Sequence, residues 1–135
     1  MKQKKESLTK SKDRVKELGE VFTPAALVSE MLDKLPADCW LPDKTFLEPS
    51  CGNGNFLVAI LERKLDMGHP PLQALATIYG VDIMEDNIVE SRARMEKVLR
   101  QRELDEATLS EGVEIIAKNI KRGNTLEQKL EDIFL

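Results

Sequence analysis

Phe46-Leu47-Glu48-Pro49-Ser50-Cys51-Gly52-Asn53-Gly54-Asn55-Phe56 carries an apolar run to a carboxylate, turns through Gly-x-Gly, and opens into a second apolar run that continues to Leu61. Such a stretch predicts a strand, a tight loop and a helix, with glycines where a ligand or another backbone must come close. The acid narrows the ligand class. Glu48 would repel a pyrophosphate, yet it can accept hydrogen bonds from an ammonium group. The third glycine of the dinucleotide fingerprint is missing, and so is the Lys-Ser/Thr of a phosphate-binding P-loop. What remains suits a nucleoside that carries an amino acid, although a tight strand-to-helix turn would use the same two glycines.

Around this unit the chain alternates. Thr23-Pro24 reads as an N-cap with proline at the first helical position, and Ala26, Leu27, Met31, Leu32 and Leu35 are spaced for one apolar face before Pro36 ends the helix. The first strand is expected at 45–48 and the first long helix at 55–67, grading to a polar side at Lys64. Gly68-His69-Pro70-Pro71 is a stop signal, followed by a short helix at 72–76. Residues 78–82 are nearly all apolar, as in a strand buried on both faces. A helix over 84–102 puts Ile88, Met95 and Leu99 on one face, with Glu90–Arg94 and Glu96–Arg100 as i,i+4 pairs. Val113-Glu114-Ile115-Ile116-Ala117 reads as a third strand and 127–133 as a final helix. The expected class is therefore α/β, with a mainly parallel sheet.

Composition bounds the function. The chain has 135 residues, 33% of them charged, and a net charge of −4, which fits a single core. Residues 1–18 hold Lys2, Lys4, Lys5, Lys10, Lys12, Arg14 and Lys16 against three acids. This leader is expected either to be solvated and partly disordered or to contact DNA phosphates. Residues 19–135 are expected to form the ligand-binding half-domain. The remainder is acidic and only 4% of all residues are aromatic, so few rings are available to stack on bases. Cys39 and Cys51 lack metal-ligand spacing and there is one histidine, so no metal site is expected. No apolar run reaches membrane-span length and no secretory signal is present, which leads to the expectation of a cytoplasmic protein without a membrane partner.

Glu48-Pro49-Ser50-Cys51-Gly52-Asn53-Gly54-Asn55-Phe56 resembles the cofactor motif of S-adenosylmethionine (AdoMet) dependent DNA adenine-N6 methyltransferases of the restriction–modification type. Three further stretches are similar to motifs of that family, in the family's order: Gly19-Glu20-Val21-Phe22-Thr23-Pro24, Tyr79-Gly80-Val81-Asp82-Ile83 and Gly123-Asn124-Thr125-Leu126. Together they span the chain from about Gly19 to its end. The resemblance implies a partial Rossmann-like methyltransferase fold, a half-sheet of order 3-2-1, with AdoMet as cofactor and S-adenosylhomocysteine (AdoHcy) as product.

It also implies roles. Gly52 and Gly54, with Pro49, Ser50, Cys51, Asn55 and Phe56 around them, would let the methionine moiety and sugar approach the backbone. Glu48 would hold the methionyl ammonium, Asp82 the ribose hydroxyls, and Ile83 the adenine face. Phe22 would close over the cofactor while Thr23 meets its carboxylate; a hydrophobic staple before the helix is the competing role for Phe22. Asn124, with Thr125 beside it, would accept from the adenine amino group where the family often has an acid. Cys51 reads better as a packed thiol than as a nucleophile.

The family's Asn/Asp-Pro-Pro-aromatic motif has no match. The one Pro-Pro has His69 before it and Leu72 after it. No catalytic residue is therefore expected, and the chain alone is expected to be inactive, as if truncated before that motif. DNA is the implied partner of a complete enzyme, with weak or no binding by this chain. An open sheet edge would call for a homodimer or a separate catalytic subunit. The alternative is a non-catalytic AdoMet-binding or interaction module that acts through the same edge.

Overall fold

The computed structural model describes residues 6–135. Three parallel strands, β1 (Phe46–Glu48), β2 (Ile78–Asp82) and β3 (Ile120–Arg122), lie side by side in that order, the expected 3-2-1 arrangement. Glu48 is in register with Gly80, and Asp82 with Arg122, so the chain leaves all three strands at the same edge of the sheet. Ile78 and Val81 of β2 are fully buried, which accounts for the unbroken apolar run of a central strand. Among the described residues β1 pairs with β2 alone, and it carries a half-exposed Leu47.

The described helices are α1 (Lys12–Leu18), α2 (Ala25–Asp33), α3 (Asn55–Asp66), α4 (Pro71–Ala76), α5 (Glu85–Arg100), α6 (Glu106–Asn119) and α7 (Leu130–Phe134), with a 3-10 turn at Ala37–Trp40. Their core is a continuous cluster of Val28 and Leu32 from α2, Leu57, Ile60 and Leu61 from α3, Leu75 from α4, and Ile88, Met95 and Leu99 from α5. Helix α5 has Glu85 and Asp86 in its first turn and Lys97 and Arg100 in its last, matching the helix dipole at both ends. No helix among the described residues is long and apolar enough to cross a membrane.

Four expectations change. Residues 113–117 are not a strand; they lie within α6. Asp105 starts that helix, its Oδ1 accepting from the Thr108 amide at 2.7 Å, a bond that lowers the Asp105 carboxyl below its usual range. Gly112 then lets the helix close on its neighbours, since a Cβ there would sit 2.8 Å from Leu99 Cδ1. The strand falls to the next three residues, where Ile120 pairs with Gly80.

Proline 24 caps α2 rather than occupying its first turn, and the free Ala25 amide donates to Glu6 Oε1 at 2.8 Å. Lys64 is not on a polar side: it is fully buried, and burial lowers its ammonium pKa. Its Nζ donates to Lys44 O at 2.9 Å and Thr77 Oγ1 at 2.7 Å, and lies 5.1 Å from the Phe46 ring centroid. Of the two i,i+4 pairs, Glu96–Arg100 forms at 2.7 Å, whereas Glu90 meets Lys10 and Arg94 turns toward the glycine loop. The basic leader is described from residue 6. Lys2, Lys4 and Lys5 lie outside the described residues, but Lys10 and Arg14 are drawn onto Asp86 at 2.9 and 2.6 Å, and α1 ends on Gly19 in the left-handed region.

Candidate functional site

A cavity of about 220 Å³ opens where the chain leaves the carboxyl ends of β1 and β2, the usual ligand side of a parallel sheet. Its floor is the loop read first in the sequence. Gly52 and Gly54 have φ of +52° and +93°, values an L side chain rarely adopts. The space at these glycines is also taken. A Cβ on Gly52 would lie 2.9 Å from the Phe22 ring, and one on Gly54 would lie 2.9 Å from Ser91 Oγ. Close approach within the protein thus accounts for both glycines in part, alongside any ligand.

The loop is held from α5 by a polar stripe. Ser91 Oγ donates to Gly52 O at 3.0 Å, and Arg94 Nη1 donates to Asn53 O and Asn55 Oδ1, both at 2.8 Å. Asn55 Nδ2 donates in turn to Thr23 O at 2.7 Å, tying the loop to the segment that carries Phe22. Asp82, 6% exposed, closes β2 and grips the same loop: Oδ1 accepts from the Gly52 amide at 3.1 Å, and Oδ2 from the Met84 amide at 3.0 Å and Asn87 Nδ2 at 2.9 Å.

The expected site residues separate into two groups. Phe22, Thr23, Glu48, Ser50, Cys51 and Gly52 line the cavity, as do Asn55, Phe56, Asp82 and Ile83. Pro49, Gly54, Asn124 and Thr125 do not. Pro49 O accepts from Thr125 Oγ1 at 3.3 Å, which links the loop to the end of β3. Asn124 lies in an adjoining hollow with Arg122, Gly123 and Gln128, and Ile83 borders both spaces. Its Oδ1 accepts from the Leu126 amide at 3.0 Å, so its acceptor is engaged in its own turn.

The cavity's charge is set by carboxylates. Burial raises the Glu48 carboxyl above its usual range, against the Ser50 amide that donates to it at 3.3 Å. Burial also pushes the Cys51 thiol up to about 12, with Asp82 adding to it, so Cys51 is a neutral packed thiol. Iodoacetamide near neutral pH is accordingly expected to modify the partly exposed Cys39 and to spare Cys51 until denaturant is added. Peptide mass mapping of the native protein checks this, and equal labelling of both would remove the buried, neutral Cys51. No cluster of three metal-binding side chains occurs among the described residues.

Four residues that hold the site were not among the expected site residues: Glu20, Asn87, Ser91 and Arg94. Asn87, Ser91 and Arg94 recur at i, i+4 and i+7 along α5, beside its apolar face, and that polar stripe was the available signal.

Fold and site define an α/β chain with a glycine-loop cleft, lined by carboxylates, at the carboxyl ends of parallel strands. Among curated proteins, the Type II methyltransferase M.VspI of Vibrio sp. (strain 343) is 36% identical to this chain over 80 residues, 59% of the chain. The chain spans 17% of that protein's length. This similarity supports a methyltransferase relationship. No family model matches the chain, and no solved structure matches it significantly.

Proposed function

We propose that this chain is the AdoMet-binding portion of a DNA adenine-N6 methyltransferase with a Rossmann-like fold. The observation that carries this is the convergence of Glu48, the Gly52 amide, Asp82 and Phe22 on one cleft at the strand ends. The donor set suits AdoMet. Glu48 offers a carboxylate to the methionyl ammonium, and none of the described residues that line this cavity is basic, which disfavours a phosphate there, while Arg122 borders the adjoining hollow. Ile83, which borders both hollows, offers an apolar surface to adenine, and the second hollow extends the cleft toward Asn124.

Two expected contacts take a more specific form. Asp82 already accepts three N–H groups, so it has room for one ribose hydroxyl unless Asn87 yields its place. Asn124 Oδ1 already accepts from the Leu126 amide, which leaves it one lone pair for the adenine amino group. Bound AdoMet would supply an activated methyl group on sulfonium. The residues around the cavity bind and orient it, while holding a flipped adenine requires an Asn/Asp-Pro-Pro-aromatic element that this sequence does not contain. DNA would be the substrate of the complete enzyme. A homodimer or a separate catalytic subunit would cover the β1 edge, and a cytoplasmic setting fits such an enzyme.

Calorimetric titration with AdoMet and with AdoHcy tests the proposal. Both are expected to bind at one site per chain, while NAD and ATP give no heat, because the cleft favours an ammonium over a phosphate. Tighter binding of ATP than of AdoHcy would overturn the assignment.

A further inference from the structure

The N-terminal segment, residues 6–24, crosses the site as a strap. Phe22 N donates to Leu8 O at 2.7 Å, Glu6 caps α2, and the Phe22 ring rests against Gly52. One set of contacts beneath the strap leads to the ligand-facing carboxylate. Arg14 pairs with Glu20, at 2.7 Å from Nε to Oε1 and 2.9 Å from Nη2 to Oε2. Glu20 Oε2 also accepts from Asn87 Nδ2 at 2.7 Å, and the same Nδ2 donates to Asp82 Oδ2 at 2.9 Å. Asp82 Oδ1 then accepts from the Gly52 amide.

The chemistry of Asn87 makes this more than packing. Its amide is fully buried, and its Oδ1 has no hydrogen-bond partner among the described residues. The amide is held this way round because its NH2 group lies between two carboxylates, which a carbonyl or an acid could not do. Those carboxylates belong to different parts of the molecule, Glu20 to the strap and Asp82 to the sheet. Arg14 offsets the charge of Glu20; without it, the negative charge on Glu20 would face Asp82 across a single shared NH2 group.

We propose that Arg14, Glu20 and Asn87 form a positioning relay for Asp82, so that docking of the strap sets the Asp82 carboxylate and the Gly52 amide, and a bound ligand in turn holds the strap down. Its second half, the reciprocal effect of ligand on strap, rests on the AdoMet assignment above.

Site-resolved amide hydrogen exchange on the full chain, with and without AdoHcy, tests both halves. Arg14→Gln is expected to speed exchange of the Gly52 and Met84 amides roughly five- to tenfold, although the guanidinium touches neither, and to weaken AdoHcy binding by a similar factor. Lys10→Gln cuts the outer strap pairs to Asp86 and Glu90 but spares the relay. It is expected to loosen Phe22 while leaving Gly52 within about twofold of the parent.

In the parent protein, AdoHcy is expected to slow exchange at Phe22, the strap amide. Faster exchange at Phe22 with unchanged exchange at Gly52 in Arg14→Gln would overturn the relay. If Arg14→Gln loosens every amide alike, Arg14→Lys decides by the same readout, because it keeps the charge and loses the planar fork; an unaltered Gly52 there overturns the relay. A relay that responds in a parent protein that fails to bind AdoHcy would instead reject the ligand assignment and leave the relay standing.

Discussion

Asp82→Ala is expected to lower both the stability of the fold and its affinity for AdoHcy. The substitution removes the acceptor for three N–H groups: the Gly52 amide, the Met84 amide and one bond of the Asn87 side chain. Buried donors left without a partner cost roughly 1–3 kcal/mol each, and local rearrangement and access from the cavity recover part of that, so a net loss of about 2–4 kcal/mol is expected. For a chain this size, that lowers the melting temperature by roughly 10 °C. Affinity should fall about tenfold or more, because a charge-assisted acceptor is lost and the Gly52 amide is no longer oriented. Asp82→Asn separates the two effects. It retains one acceptor oxygen, so it should restore more stability than binding. Calorimetry with AdoHcy and a thermal melt on the same samples give both values. A variant that melts like the parent and binds like it would remove Asp82 from the site.

Gly54→Ala is expected to be the most damaging single-methyl change in the chain. The residue has φ of +93°, and the added Cβ would lie 2.9 Å from Ser91 Oγ and 3.1 Å from Ser91 Cα. The side-chain oxygen could rotate away, but the α5 backbone cannot. Left-handed strain of about 1–2 kcal/mol therefore adds to overpacking of about 1–3 kcal/mol. Gly68→Ala is the control. Gly68 has φ of +88° with nothing within 4 Å of its would-be Cβ, so only the strain should appear. Urea denaturation of the two variants reads the difference as the contribution of close loop-to-helix approach. Equal losses at both positions would show that conformation alone explains Gly54, and that the loop does not press on α5.

Much of this molecule was legible in order along the chain, for identifiable reasons. The bounds of β2 match its apolar run because a central strand is buried on both faces, and burial there needs no partner to be known in advance. Helix α5 declares itself because sixteen residues allow the 3.6 period to repeat and both ends match the dipole. The glycine loop was recognisable because positive φ restricts residue choice at the level of the single residue.

The third strand was misplaced because Val113-Glu114-Ile115-Ile116-Ala117 is too short for its β-branched composition to separate strand from helix. The Asp105 cap, a local bond from the Thr108 amide, and the room Gly112 leaves for Leu99 and Leu75, which are distant in sequence, decided for helix. Lys64 appeared polar-facing for a related reason. Its acceptors, Lys44 O and Thr77 Oγ1, are brought to it only when β1 and β2 are in place.

The sequence by itself determined the strand-loop-helix unit, the parallel α/β class and most of the residues that line the cleft, because backbone conformation and burial are properties of local pattern. Tertiary structure alone decided how those residues are held. Hydrogen bonds from Ser91 and Arg94 cross from α5 to the loop, Asn87 joins Asp82 of β2 to Glu20, and Arg14 and Glu20 reach the site from the N-terminal strap. The direction of a polar side chain depends on which acceptors folding places within about 3 Å of it, and spacing along the chain does not encode that distance.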